Sequence, residues 1–206
     1  MIKILHDNGK PIKLLGNTVT HTSVLPGMGD RAEIVTWENA LDQSQQWVDD
    51  HQFFCNSASP EFRIPFIKSF QQKFKGIDWI SVVRDSATVY GTLGKNCWVS
   101  SYVIIDPGSE VGDHCTIGSF CELAHHENVL EDFVHLSPRI SITKCHLKEG
   151  TWVGYNTWMH SCVIEPYSAI MMNSRIKHAT LQTGTYSSGR RVSARTSMQF
   201  SKHVKW

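Results

Sequence analysis

The stretch LGKNCWVSSYVIIDPGSEVGDHCTIGSFCEL, residues 93–123, repeats with a period of six. Leu93, Val99, Ile105, Val111, Ile117 and Leu123 mark the beat, and Cys97, Val103, Ser109, Cys115 and Cys121 follow it four residues later. After one extra residue the beat resumes at Leu130, Leu136 and Ile142. One residue short, it runs through Leu147, Val153 and Met159; short by one again, it runs through Ile164, Ile170 and Ile176. The second marker returns at Val134, Ile140, Thr151, Thr157, Val163, Ser168, Ser174 and Thr180. It fails at Glu127 and His146, where the spacing slips.

A six-residue rung is a short strand plus a corner. Its aliphatic residue points into a narrow prism, and its small residue fits where the interior is tight. Gly94, Gly112, Gly118 and Gly154 follow the beat and are expected to supply unusual corner dihedrals. Three rungs make a coil of about 18 residues, the pattern of a parallel β-helix. Hexads take its left-handed form, an exception to right-handed crossovers. The expected fold is mainly β: a left-handed parallel β-helix over 80–184, a small α/β domain over 1–79, and a tail over 185–206.

In the first part, MIKILHD and QFFCNSA read as strands, and WENALDQSQQWVDD and FRIPFIKSFQQKF read as helical. Phe66, Ile67, Phe70 and Phe74 give the second helix one apolar face, with Pro65 near its start. Strand–helix alternation predicts a partly parallel sheet. The segment LPGMGDR reads as a turn-rich loop, and neither GxGxxG nor a Walker motif is present. The tail SSGRRVSARTSMQFSKHVKW is basic, lacks the beat, and is expected to pack on the prism end or on a neighbouring chain.

The bulk numbers narrow the classes. Of 206 residues, 20 are Lys or Arg and 19 Asp or Glu, so the balance of charge does not point to nucleic acid. No apolar run is long enough for a membrane span and no leader pattern opens the chain, so a cytoplasmic location is expected. Six cysteines form no CxxC pair, and Cys97, Cys115 and Cys121 fall on the small-residue beat. They read as reduced packing residues.

The segment HENVLEDFVHLSP, residues 126–138, lies on these coils. It resembles the HDCVIGDFVHIAPGA-type segment of bacterial sugar acetyltransferases. Those include sugar-nucleotide N-acetyltransferases of bacillosamine and dideoxyamino-sugar pathways and the sialic-acid O-acetyltransferases. DDHQFFCNSASPEFRIPFIKSFQQ resembles that family's strand, polar loop, Arg and helix, and IDWISVVRDSATVYGTLG resembles its entry into the coil. The resemblance spans about residues 1–175. It implies a homotrimer that takes acetyl from acetyl-CoA, with no metal, and an amino sugar or sugar nucleotide as acceptor.

By the same resemblance His126 takes the place of the general base and Glu127 that of the acid beside it. Counted from Leu123 the base would be His125; counted from Leu130 it would be His126. His135 takes the place of a donor-contacting histidine. Gly154, Arg190 and Arg191 (with Arg195 in the same tail) are candidates for coenzyme A contacts. Asp7, Asn8, Asn56 and Arg63 are candidates for the acceptor. The family's N-terminal Gly-rich nucleotide loop and its C-terminal GxPA signature have no counterpart here.

Acetyl transfer from a thioester needs a base for the attacking amine or hydroxyl, and imidazole suits that task. The base wants an orienting group, for which Glu127 and then Asp132 are candidates. The thioester oxygen needs a donor as charge develops, from a backbone N–H or from His135. His126 and His135 are nine residues apart, half a coil. At about 3.3 Å per residue this places them on different faces, on the order of 15 Å apart. A shared site would then join two chains. Two other readings are a non-catalytic trimer with a decayed donor site, and a zinc enzyme of the carbonic anhydrase type using His146, His160 or His178. Trp98, Trp152 and Trp158 read as packing residues.

Overall fold

The computed structural model describes residues 2–16, 32–55, 60–194 and 196–200. The LPGMGDR loop, Asn56 and Arg195 lie outside the described residues. The chain opens with β1 (Ile2–Leu5), β2 (Ile12–Gly16), β3 (Ala32–Thr36), α1 (Trp37–Leu41), α2 (Gln45–Asp49), β4 (Gln52–Cys55), α3 (Pro60–Lys73) and β5 (Ser81–Arg84). Strands β3, β2 and β4 form a parallel sheet in that order. The Thr36 hydroxyl accepts from Asn39 N–H and the Ser44 hydroxyl from Trp47 N–H. Each side chain satisfies an otherwise unpaired amide at a helix start, so WENALDQSQQWVDD folds as two short helices. Helix α3 begins before the predicted stretch and carries Pro65 inside it. Its Phe66, Ile67 and Phe70, with Phe74 just past its end, are buried with Phe53 and Trp79.

Strand β1 does not join that sheet. It pairs antiparallel with β5, at the start of the prism. From there the chain coils through three faces. The first face stacks β5, Trp98–Val99, Thr116–Ile117, His135–Leu136, Trp152–Val153, Ala169–Ile170 and Thr185–Ser187. The second stacks Thr88–Val89, Ile104–Ile105, Glu122–Ala124 and Ser141–Thr143; the third stacks Thr92–Leu93, Glu110–Val111, Val129–Leu130 and His146–Leu147. Two longer strands, Trp158–Ile164 and Arg175–Leu181, run across the second and third faces and merge them into one sheet.

The beat residues from Val99 to Ile176 are all buried, and Leu93 packs against them from the open end. Each such side chain contributes about 1.5–3 kcal/mol by leaving water. The small-residue beat needs correction where the spacing slips. The inward residues there are Asn128, Cys145 and Cys162, with Ala179 packed against the core; His146, Val163 and Thr180 face outward. All six cysteines are buried and none forms a disulfide.

The glycine expectation is also corrected. Left-handed dihedrals at the corners fall mostly on other residues, among them Asn96, Tyr102, His114, Phe120, Phe133, Arg139, Asn156 and Tyr167. Gly118 serves a different need. A Cβ there would stand 2.6 Å from Pro138 N on the next coil. The stacked backbones leave no room for a side chain.

The tail is a hairpin, Thr185–Ser187 with Arg190–Ser193, that closes the end of the first face. A last turn, Ser197–Phe200, returns to the prism, where Ser197 bonds the carbonyls of Gly150 and Tyr167, each at 2.7 Å.

The α/β unit sits against the corner between the third and first faces. Cys55 N–H donates to Asn96 Oδ1 at 2.8 Å, and the other end of that amide meets His114 Nδ1 at 2.8 Å. The Gln71 carboxamide lies 3.1 Å from His114 Nε2, and the ring stacks on Phe133. Lys68 reaches Glu149 at 2.8 Å and the Tyr167 hydroxyl at 3.0 Å. Burial pushes the His114 imidazole down to about 4, so it is neutral at pH 7.

Candidate active site

The seven-residue rung after Leu123 makes a corner between the second and third faces unlike the others. His125, His126 and Glu127 all adopt left-handed dihedrals in succession, with φ of 59°, 57° and 59°. Such a run costs roughly 1–2 kcal/mol per residue and must be held by its surroundings. Three contacts hold it. His125 N–H donates to Asp106 Oδ2 at 3.0 Å, His126 Nδ1 bonds the Pro107 carbonyl, and Asn128 lies fully buried beneath. The Asn128 amide donates to the carbonyls of Ala124 (2.9 Å) and His126 (3.4 Å), and its oxygen accepts from Cys145 N–H at 3.2 Å.

The chemistry of His126 follows from its partner. A carbonyl only accepts, so Nδ1 carries the proton and donates. In the neutral ring Nε2 is then an unprotonated acceptor on an exposed side chain. His125, also exposed, has its backbone held but no such contact to its ring among the described residues. Glu127, expected to orient the base, instead faces Lys144 at 3.5 Å. Asp132 lies at a different corner, where Oδ1 accepts from Asp113 N–H at 2.8 Å and burial raises its carboxyl. The group that holds the His126 ring is the Pro107 carbonyl. Asp106, Pro107 and Asn128 escape a reading by spacing because they meet the loop from the preceding coil or from inside the prism.

His135 stands on the first face, the one opposite the His126 corner, between Thr116 and Trp152 in the ladder. Its ring lies parallel to the Trp152 indole at 6.4 Å. Within one chain the two histidines therefore do not meet. Arg63, in the first turns of α3, is fully buried and bonds the Thr116 hydroxyl one coil from His135. Its Nε and Nη2 have no hydrogen-bond partner among the described residues, and burial lowers its pKa.

The remaining candidates are scattered. Asp7 and Asn8 form a turn bonded to Gly9, Gln52 and Asp78, at the amino-terminal ends of the parallel strands and away from Arg63. Gly154 packs against the next coil, where a Cβ would stand 2.6 Å from Met172 N. Arg190 and Arg191 are exposed on the terminal hairpin, and Arg191 bonds the Thr183 carbonyl at 2.9 Å. His146 bonds Glu131 at 2.7 Å, while His160 and His178 lie edge to face at 5.3 Å. Among the described residues no group of three or more His, Cys, Asp or Glu is arranged to hold a metal ion, and no helix is long and apolar enough to cross a membrane.

The bacterial transferase hexapeptide (six repeats) family model matches residues 91–125. No curated protein matches the sequence. Among solved structures the fold is similar to WeeI from Acinetobacter baumannii AYE, with a TM-score of 0.66, 10% identity, and 84% of this chain and 81% of that one covered. It is also similar to the acetyltransferase domain of PglB from Neisseria gonorrhoeae FA1090 in complex with acetyl coenzyme A (TM-score 0.53, 11% identity, 89% and 100% covered). A third is a point mutant of AntD, an N-acyltransferase from Bacillus cereus, in complex with dTDP and coenzyme A (TM-score 0.52, 16% identity, 56% and 81% covered). The chain has the left-handed parallel β-helix fold of the transferase hexapeptide repeat, behind a small α/β unit.

Proposed function

We propose that this chain is an acyltransferase that moves acetyl from acetyl-CoA to an amino group, or a hydroxyl, of a sugar or sugar nucleotide. The observation that carries the reading is His126: an exposed imidazole on a braced corner, with Nδ1–H donating to a carbonyl and Nε2 free to take a proton. The acceptor attacks the thioester carbonyl directly as Nε2 removes its proton; collapse of the tetrahedral intermediate breaks the C–S bond, and the departing coenzyme A thiolate takes the proton from the imidazolium and leaves as the free thiol. The bond from Nδ1–H to Pro107 persists and stabilises the imidazolium. The fold shared with coenzyme A-bound acyltransferases supports the donor.

The site is completed in a homotrimer. The His126 corner of one chain meets the first face of the next, bringing His135, Trp152 and the neighbourhood of Arg63 to the same site, with His135 toward the donor. The 1–79 domain then serves the acceptor and the 80–184 coil the donor, with the enzyme working in the cytoplasm where acetyl-CoA is made available. The test is free-thiol release from acetyl-CoA over a panel of amino sugars and their nucleotides. His126→Ala is expected to cut turnover by about 10²–10⁴-fold with little change in donor affinity. Wild-type protein that folds but does not bind acetyl-CoA would instead be a non-catalytic trimer.

A further inference from the structure

Beyond Glu122, every outward residue of the second face is neutral or basic: Ser141, Thr143, Trp158, His160, Arg175 and Lys177. At the edge of that face lies a cleft of about 440 Å³ lined by Arg139, Ser141, Asn156, Thr157, Trp158 and Arg175. Its volume falls within the range of small-molecule sites. Two guanidinium groups line it and no carboxylate does. Among the described residues neither arginine makes an ion pair, and the Arg139 side chain has no hydrogen-bond partner. Arg175 is fixed on one side only, through Nη1 to the carbonyls of Asn156 (3.0 Å) and Ser174 (3.4 Å). That contact aims the guanidinium and leaves its remaining N–H groups available. Trp158, half-buried beside them, presents an indole ring.

Two forked cations beside an aromatic plane recognise a phosphorylated nucleotide. The position selects which one. Ser141 pairs with Glu122, Trp158 with Ser141 and Arg175 with Trp158, so the cleft lies one to three coils from the strand that leads into His126. With about 4.8 Å between coils and 3.3 Å per residue, cleft and base are roughly 15 Å apart on the same chain. An extended phosphopantetheine arm, about thirteen bonds of ~1.5 Å from sulfur to phosphorus, spans roughly 16 Å. We infer that Arg139, Arg175 and Trp158 hold the phosphorylated nucleotide end of the acyl donor, with its thioester at His126. This rests on the acyltransferase reading and assigns the donor's phosphates to the second face rather than to Arg190 and Arg191.

The experiment is calorimetric titration of the trimer with coenzyme A, pantetheine and dTDP. It compares wild type, Arg139→Gln, the Arg139→Gln/Arg175→Gln double variant and an Arg190→Gln/Arg191→Gln control. Arg139→Gln breaks no hydrogen bond made by that side chain among the described residues, and it keeps the test valid if the double variant misfolds. Coenzyme A affinity is expected to fall about 10-fold in the single variant and up to about 100-fold in the double, with pantetheine affinity unchanged. Unchanged coenzyme A affinity, or a loss confined to the Arg190/Arg191 control, would overturn the assignment. A loss of dTDP binding alone would also overturn it, by giving the cleft to the acceptor's nucleotide. Wild type that binds no coenzyme A would sink the acyltransferase reading itself, an outcome the variants do not share.

Discussion

Asn128→Ala tests whether the histidine corner is held from inside the prism. The wild-type amide makes two well-formed bonds, to Ala124 O at 2.9 Å and from Cys145 N–H at 3.2 Å, in a fully buried position. Two neutral hydrogen bonds contribute about 2 kcal/mol net, and leaving the Cys145 N–H buried without an acceptor costs about 1–3 kcal/mol more. A loss of about 3–5 kcal/mol is therefore expected, partly offset by relaxation of the three left-handed residues above. The relaxation is what harms function: His126 leaves the Pro107 carbonyl, and turnover is expected to fall at least tenfold for a base displaced by about 1 Å. Urea denaturation at fixed protomer concentration gives the stability, and thiol release gives the turnover. Lys144→Ala, an exposed control, should move stability by less than about 0.5 kcal/mol. A loss below about 1 kcal/mol with full turnover would refute the clamp; lost stability with full turnover would show that the corner holds its shape without it.

Four further outcomes are expected. His126→Ala and His135→Ala chains, each nearly inactive, should recover activity when unfolded and refolded together, with about a quarter of the interfaces carrying both wild-type residues by random mixing; no recovery after verified subunit exchange would place both histidines in one chain's site or dismiss one of them. Sedimentation should give three chains of 23.3 kDa per particle, and a monomer at micromolar concentration would end the shared-site argument. Gly154→Ala should lower the thermal midpoint, because its Cβ would press on Met172 N, without a selective loss of coenzyme A affinity at a temperature where the variant is folded. His114 sets a pH dependence: its folded value is about 4 and its ordinary value 6.5, so between these the unfolded chain binds more protons. Stability from this group is complete above about pH 6.5 and falls as pH drops toward 4, by at most about 3 kcal/mol. Denaturation curves from pH 4.5 to 8 should show this slope in wild type and a flatter one in His114→Gln.

The prism was legible because its physics is local. Every rung buries one aliphatic residue against the same residue of the coil above, so the requirement recurs at a fixed interval, and Val99, Ile117 and Leu136 announce it without knowledge of the rest. The insertion between Leu123 and Leu130 was visible for the same reason, as a break in the interval, and it marked the corner where His126 stands. The direction of the polar side chains was not legible. Glu127 is adjacent to His126 in sequence, yet it turns to Lys144, while the imidazole bonds a carbonyl nineteen positions away. That choice depends on the left-handed run at 125–127, which arises only when an extra residue must be fitted over the coil below. The roles of the glycines were misread likewise: the constraint at Gly118 comes from a backbone on the next coil, not from its own dihedrals. Composition and spacing determined that a β-helix forms, where it slips and which imidazoles lie at the slip, because burial acts residue by residue along the chain. Which group orients His126, that Arg63 is sealed against Thr116, and that Arg139 and Arg175 line one cleft were decided by the stacking of coils, because those partners become neighbours only once the chain has wound around.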